Sequence, residues 1–246
     1  MFVFKLIKQT SFMKKIIIFG ANSSIAKNFA NDLIIKRRFK ILGVVRKKKF
    51  KLKNFNKILE WDVLNKDISD QTNKEIRRFN PDIIIFSQGA NLNDNIYNFS
   101  YKNLTHLMEV NCFYILKVIN SLFKNKLLKK KINFVVISSI WQLVTRKNKL
   151  SYTLSKAALS GLVRSLSLDF HGKHFINSIL PGVILNKMTR KNLSLSQIKK
   201  VKKDTPSNRL VTYKNLNEII TGLSLTKSMN GQMIIADNNY SYAKIF

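Results

Sequence analysis

Cysteine occurs once, at Cys112, so no intrachain disulfide can form and the fold must rest on packing and hydrogen bonds, as suits a reducing compartment. No apolar run approaches the roughly 18 residues that a membrane-spanning helix needs. The chain is therefore expected to be soluble and cytoplasmic, with no membrane partner. No Pro/Gly/Ser-rich stretch and no internal repeat divides the 246 residues, so one domain over 13–246 is the expected organisation. Histidine is scarce: His106, His171 and His174 have no carboxylate or thiol companion at ligand spacing. They read as helix-end and surface residues, and no metal site is expected.

Acidic residues are also few, 13 against 44 Lys and Arg, giving a formal charge of +31. Such a balance attracts phosphate backbones. Here the basic residues are spread along the whole chain, enriched together with Asn and Ile as in an AT-rich coding sequence, and no zinc-finger spacing or aromatic RNA-binding signature accompanies them. Specific nucleic-acid binding is not expected. Met1 to Phe12 matches neither a signal peptide nor a partnered strand, because Lys5 and Lys8 break a short apolar stretch. It reads either as a disordered leader or as sequence upstream of a start at Met13.

What the chain does contain is alternation. Strand-like apolar runs at Lys15–Phe19, Lys40–Val45, Ile58–Trp61, Asp82–Phe86, Ile132–Ile137, Phe175–Leu180 and Met233–Ala236 are separated mostly by helix-length amphipathic segments. This rhythm predicts an α/β fold: a Rossmann-like, doubly wound parallel sheet of about seven strands with helices on both faces. The first run ends in Gly20-Ala21-Asn22-Ser23-Ser24-Ile25-Ala26, followed by a helix predicted to reach about Arg38. A glycine at the strand end permits a tight turn, and the amides opening the helix can hold a pyrophosphate.

The candidate chemistry lies later. Ser139 follows the apolar run Ile132–Ile137, and Tyr152 and Lys156 stand four apart on one predicted helix, so the two side chains share a face. Catalytic groups gather beyond the carboxyl ends of parallel strands. A Lys ammonium beside a phenol favours the phenolate and is expected to lower the Tyr pKa from about 10. Hydroxyl, phenol and ammonium can then converge on one carbonyl oxygen, with the Tyr as general acid/base.

Together these segments resemble the short-chain dehydrogenase/reductase family, of the ordinary single-domain type, from about Lys14 to Asp237. Gly20 to Ala26 resembles the family's Gly-x-x-x-Gly-x-Gly loop with Ser24 and Ala26 in place of the later glycines. Asp62-Val63 looks like the pair that holds adenine, and Ser87-Gln88-Gly89 stands where the family has Asn-Ala-Gly, keeping Gly89 near the cofactor ribose. Asn111 looks like the helix-bending Asn that positions a water, completing a tetrad with Ser139, Tyr152 and Lys156. Pro181-Gly182-Val183-Ile184 resembles the segment lining the nicotinamide, with Asn186 where Thr is common. Asn230-Gly231-Gln232 and Asp237-Asn238-Asn239 look like Gly-Gln and Asp-Gly-Gly with glycines lost.

The resemblance implies hydride transfer, Tyr152 exchanging the proton and Lys156 binding the ribose hydroxyls. At the end of the second strand Val45 occupies the position of an NAD-binding acid and Arg46 follows, which favours NADP(H) over NAD(H). Family members commonly assemble as dimers or tetramers through the helices equivalent to those bearing Asn111 and Tyr152, and Leu154, Ala157, Ala158, Gly161 and Leu162 would suit either such a contact or the core. Trp141 and Gln142 are expected to line the pocket. Arg146, Lys147 and Lys149, with Lys187, Arg190, Lys191, Lys199, Lys200, Lys202 and Lys203 in the segment 186–209, could form a basic rim for an anionic or carrier-bound carbonyl substrate. A 3-oxoacyl thioester on an acidic carrier, with Lys129-Lys130-Lys131 in a docking face, and a sugar or nucleotide sugar both fit. A non-catalytic dinucleotide sensor or scaffold is the alternative from another class.

Overall fold

Seven apolar runs, rich in Ile, Val and Phe, form β1 (Lys14–Phe19), β2 (Phe39–Val45), β3 (Lys57–Glu60), β4 (Ile83–Phe86), β5 (Asn133–Ile137), β6 (Phe175–Pro181) and β7 (Met233–Ala236). The structure, a computed structural model, describes residues 13–47, 52–226 and 228–242. Met1 to Phe12, read from the sequence as a leader or as sequence upstream of a start at Met13, lie outside the described residues. All pairings are parallel and the strand order is β3-β2-β1-β4-β5-β6-β7, the doubly wound sheet that the alternation predicts.

Parallel strands covered on both faces read as continuous apolar runs, and here each face has its own core. Ile17, Phe19, Ile84, Phe86, Phe134 and Val136 point to one side. Their neighbours Ile16, Ile18, Ile83, Ile85, Val135 and Ile137 point to the other. That period of two is the strand's own geometry. The first face is covered by α3 (Asp70–Phe79), by a long helix built from α4 (Tyr101–Met108), a π-helical turn at Glu109–Phe113 and α5 (Tyr114–Lys124), and by α6 (Leu150–Asp169). The second is covered by α1 (Ser24–Asn31), α2 (Leu33–Arg38) and α9 (Tyr213–Leu225). Between β6 and α9 the chain forms α7 (Lys187–Asn192) and α8 (Leu195–Lys203).

The helix predicted to run unbroken to Arg38 is two helices. Asp32 adopts extended dihedrals, and its carboxylate accepts from the Ile34 and Ile35 amides as the N-cap of α2. Its second oxygen accepts from Asn217 on α9, so the break is braced from a neighbouring helix. Among the described residues no helix is long and apolar enough to cross a membrane, and no group of three or more His, Cys, Asp or Glu could hold a metal. His174 is not a free surface residue: its Nδ1 accepts from the Ile132 amide at 3.2 Å, and its ring meets Phe123, Phe134 and Phe170 edge-on.

Order reverses between β1 and β4, and at such a switch point two loops part to leave a crevice beyond the carboxyl ends. Gly20 sits there with φ of +75°, and a Cβ on it would fall 2.5 Å from the Gln88 backbone nitrogen. Only glycine lets the loops after β1 and β4 approach so closely.

Candidate active site

Six segments converge on the crevice: the turn after β1, the loop after β4, the π-helical turn, the loop after β5, the start of α6 and the segment after β6. At the turn, Ser23 caps α1, its Oγ accepting from the Ala26 amide at 3.1 Å and pairing with Ser87 Oγ at 2.7 Å. That pair ties the first loop to the second. Asn22 is exposed, while Ser24 and Ile25 open α1 half-buried.

Asn111, 1 % exposed, explains the π-helical turn around it. Its Oδ1 accepts from the Ala90 amide at 2.9 Å, while its Nδ2 donates to the Ala90 carbonyl at 3.1 Å and to Ser155 Oγ at 2.9 Å. Reaching all three widens the helix by one residue, a distortion often kept where function needs a side chain in place. Gly89, the residue before Ala90, lies against the result: a Cβ there would be 3.5 Å from Asn111 Oδ1 and 3.8 Å from Lys156 Nζ.

Tyr152 and Lys156, 6 % and 3 % exposed, face inward from the first turns of α6. Ser155, between them in sequence, donates to the Tyr152 carbonyl and receives the Asn111 amide. Asp94 starts the helix: its carboxylate accepts from both the amide and the hydroxyl of Ser151. Lys156 Nζ stands 5.8 Å from the centre of the Tyr152 ring. A second ammonium, Lys149, stands 5.3 Å from the same ring centre.

Burial dominates the protonation of this group. The Tyr152 phenol is pushed up to about 12 by desolvation, opposed by its hydrogen bond with Ser139. Lys156 is pushed down to about 8 for the same reason, with Cys112 acting the other way. The direction at Tyr152 is thus opposite to the lowering expected from the Tyr-Lys spacing. An ammonium nearly 6 Å from the ring attracts the phenolate less than water stripped from the phenol would have stabilised it.

In front of Ser139 and Tyr152 lies a cavity of about 130 Å³. Of the residues picked out by sequence, Ile25, Pro181, Gly182, Ile184 and Asn186 line it too. Lys156, Asn111 and Gly89 do not line it and form a second group beside one another. Arg46 is exposed at the end of β2, Asp62 is half-buried with its carboxylate held by Asn65, and Val63 packs in the core, all nearer the β3 edge. Asn186 has a structural use as well, capping α7 by accepting from the Thr189 amide at 2.8 Å. Trp141 lines the cavity, but Gln142 does not: it turns away, accepting from Ser138 Oγ and donating to Met233 Sδ. Sequence reasoning placed Arg146 and Lys149 on a rim; both line the cavity wall itself, joined by Asn91 and Asn192, which it did not single out.

The crevice fits a dinucleotide. Two glycines, Gly20 and Gly89, keep side chains out of it; α1 opens toward it; and Gln88 Oε1 is buried there without a donor. The residues that would hold the dinucleotide's pyrophosphate are those of the turn and the opening of α1, Gly20, Asn22, Ser23, Ser24 and Ile25.

The protein-family model described as enoyl-(acyl carrier protein) reductase matches residues 20–241. The 3-oxoacyl-[acyl-carrier-protein] reductase FabG of Buchnera aphidicola subsp. Schizaphis graminum is 27% identical over 233 residues, 90% of this chain and 94% of that one. Among solved structures, a gluconate 5-dehydrogenase from Burkholderia cenocepacia in complex with NADP and tartrate superposes with a TM-score of 0.79 at 18% identity, covering 93% of this chain and 95% of the other. A 3-oxoacyl-[acyl-carrier protein] reductase from Brucella melitensis in complex with NAD gives 0.79 at 18% identity, covering 96% and 100%.

Proposed function

Because the chain belongs to the short-chain dehydrogenase/reductase family of NAD(P)-dependent oxidoreductases, we propose that it reduces a carbonyl to an alcohol, or runs the reverse, with Tyr152 as the proton donor and NADP(H) as the preferred cofactor. The observation that carries this reading is the convergence of Ser139 and Tyr152 on one cavity, with the Lys156 ammonium 5.8 Å from the Tyr152 ring. Bound in the crevice, a reduced nicotinamide supplies the hydride. The substrate oxygen then needs a proton, and Tyr152 Oη, kept protonated by its burial, gives it. Ser139 Oγ donates to the same oxygen and fixes its position. The phenolate left behind has two ammoniums near its ring, Lys149 at 5.3 Å and Lys156 at 5.8 Å from the ring centre. Lys156, pushed down to about 8, can hand on a proton near neutral pH. Asn111 acts as a positioning residue: its amide groups are occupied by Ala90 and Ser155, so it sets the loop bearing Gly89 against Lys156.

Arg46, exposed at the end of β2 where an NAD-binding acid would stand, supports the NADP(H) preference. The curated relatives support a 3-oxoacyl thioester as substrate. A second reading, a small polar keto sugar or sugar acid, is favoured by the polar lining from Asn91, Asn192, Arg146 and Lys149. We place the enzyme in the cytoplasm, as one domain over 13–246 and as a homodimer or homotetramer. Leu154, Ala157 and Gly161 are exposed along α6, next to Phe113 and Leu116 on the neighbouring helix, whereas Ala158 and Leu162 are used by the core.

A screen of 3-oxoacyl thioesters and keto sugars, followed at the nicotinamide absorbance with NADPH and with NADH, tests the reading. We expect oxidation with at least one class and faster turnover with NADPH. Tight dinucleotide binding with no oxidation across the panel would favour the sensor instead, and a clear preference for NADH would remove the role given to Arg46.

A further inference from the structure

Two cations line the cavity, and among the described residues no carboxylate lines it with them. Arg146 and Lys149 line the wall shared with Ser139 and Tyr152, and no Asp or Glu among the described residues does so. Lys149 is only 2 % exposed, and its ammonium is held by neutral acceptors: Asn91 Oδ1 at 2.6 Å, the Leu92 carbonyl at 3.0 Å and Asn192 Oδ1 at 3.4 Å. Arg146 is held more loosely. Its two Nη atoms reach the Lys147 and Asn192 carbonyls at 3.4 Å, Tyr240 interacts with it through space, and its Nε is buried without an acceptor. Asp94 attracts Lys149 from a distance, but its oxygens are committed to Ser151.

Burying a cation without a counter-charge is unfavourable. The strain is visible in Lys149, pushed down to about 8 first by desolvation and then by repulsion from Arg146. An anion between the two would relieve both terms. A guanidinium with an unused N–H beside an ammonium is the donor set that matches a carboxylate or phosphate.

We infer that Arg146 and Lys149 form an oxyanion subsite, so that the carbonyl substrate carries a carboxylate or phosphate a few atoms from the carbon being reduced. The inference rests on the carbonyl-reductase reading and narrows it toward compact substrates. A cavity of about 130 Å³ is small beside the roughly 300–1,000 Å³ of common ligand pockets, and the charge of an acidic carrier protein would lie outside it.

Trp141 lines the same cavity, so its fluorescence reports occupancy without turnover, while Trp61 in the core gives a constant background. The chain is titrated with acetoacetate and with dihydroxyacetone phosphate, each against its uncharged counterpart, ethyl acetoacetate and dihydroxyacetone. At least one anion should saturate with a Kd about tenfold below its counterpart's, and both Arg146→Gln and Lys149→Met should weaken it by about tenfold or more. Lys74→Gln, an exposed change on α3, should leave it unaltered. Which anion responds separates carboxylate from phosphate. Arg146 is only half-buried, so its variant keeps the test alive if Lys149→Met does not fold. No saturable signal with either anion, equal binding of charged and uncharged probes, or an unchanged Kd in Arg146→Gln overturns the subsite. NADPH oxidation in the same samples separates the two claims: anion binding without oxidation of any carbonyl keeps the subsite and sinks the reductase, and oxidation of a neutral thioester without anion preference does the reverse.

Discussion

Along α6, Ser151, Tyr152, Ser155 and Lys156 are all buried, and the side chains that hold them come from three other segments, through Asp94, Asn111 and Ser139. At the turn after β7 the requirement falls on the backbone instead, and Asn stands there where the family resemblance leads one to expect glycine. Asn238 and Asn239 adopt φ of +56° and +67°, and Asp237 accepts from the amides of Asn239 and Ser241. Of the eight non-glycine residues at positive φ among those described, six are Asn. Asn tolerates the left-handed region better than other side chains. One region needs particular atoms and the other needs particular dihedrals, so only the second could drift in composition without losing its shape.

Gly20→Ala should do the greatest damage, because here a dihedral and a close approach coincide. The left-handed φ and the clash with Gln88 together should lower stability by about 3 kcal/mol or more. A fall in thermal midpoint of many degrees, with NADPH binding lost, is the expected result; a variant that binds NADPH normally would mean that the backbone approach is dispensable. Asn111→Ala comes next. It strands the Ala90 amide and carbonyl, which should cost about 1–3 kcal/mol, and Asn111→Asp should fail to rescue because it loses the Nδ2 donor. Chemical denaturation with turnover measured on the same preparation checks both.

Two opposite pH trends sharpen the comparison. Lys149 and Lys156 carry folded-state values of about 8, below the ordinary value of 10.5. Below pH 8 both folded and unfolded chains hold these protons, and the burial penalty is at its full size. Between 8 and 10.5 the unfolded chain holds more protons, so these two groups make stability rise with pH. Over the same interval kcat/KM for reduction should fall as the ammoniums discharge. Thermal melts of Lys149→Met should show a smaller rise than the parent, and an equal rise would contradict the burial of its charge. The smallest effect is expected from Asn238→Gly, whose left-handed dihedral either residue accepts: within about 1 kcal/mol of the parent, with turnover unchanged.

Much of this fold is legible in the sequence, because strands buried on both faces must be apolar throughout, and all seven runs stand out against a Lys- and Asn-rich background. The break at Asp32 is not, since a capping carboxylate and a solvated helical one look alike until the amides it receives are known. The inward turn of Lys149 is hidden by its neighbours: in a run containing Arg146 and Lys147 nothing marks one lysine as buried. Four-residue spacing brings Tyr152 and Lys156 onto one face, but the protonation of the phenol depends on how much water the fold removes, which spacing does not encode. Asn238 and Asn239 stand where the resemblance leads one to expect glycine, and both adopt the left-handed dihedrals that glycine would accept.

The claim at the centre is that the Tyr152 hydroxyl delivers the proton while the cofactor site stands independently of it. Tyr152→Phe, assayed for carbonyl reduction and for NADPH affinity in one preparation, tests both halves. Turnover should fall by roughly 10²–10⁴ with the NADPH Kd little changed. Undiminished turnover in that variant would contradict the account.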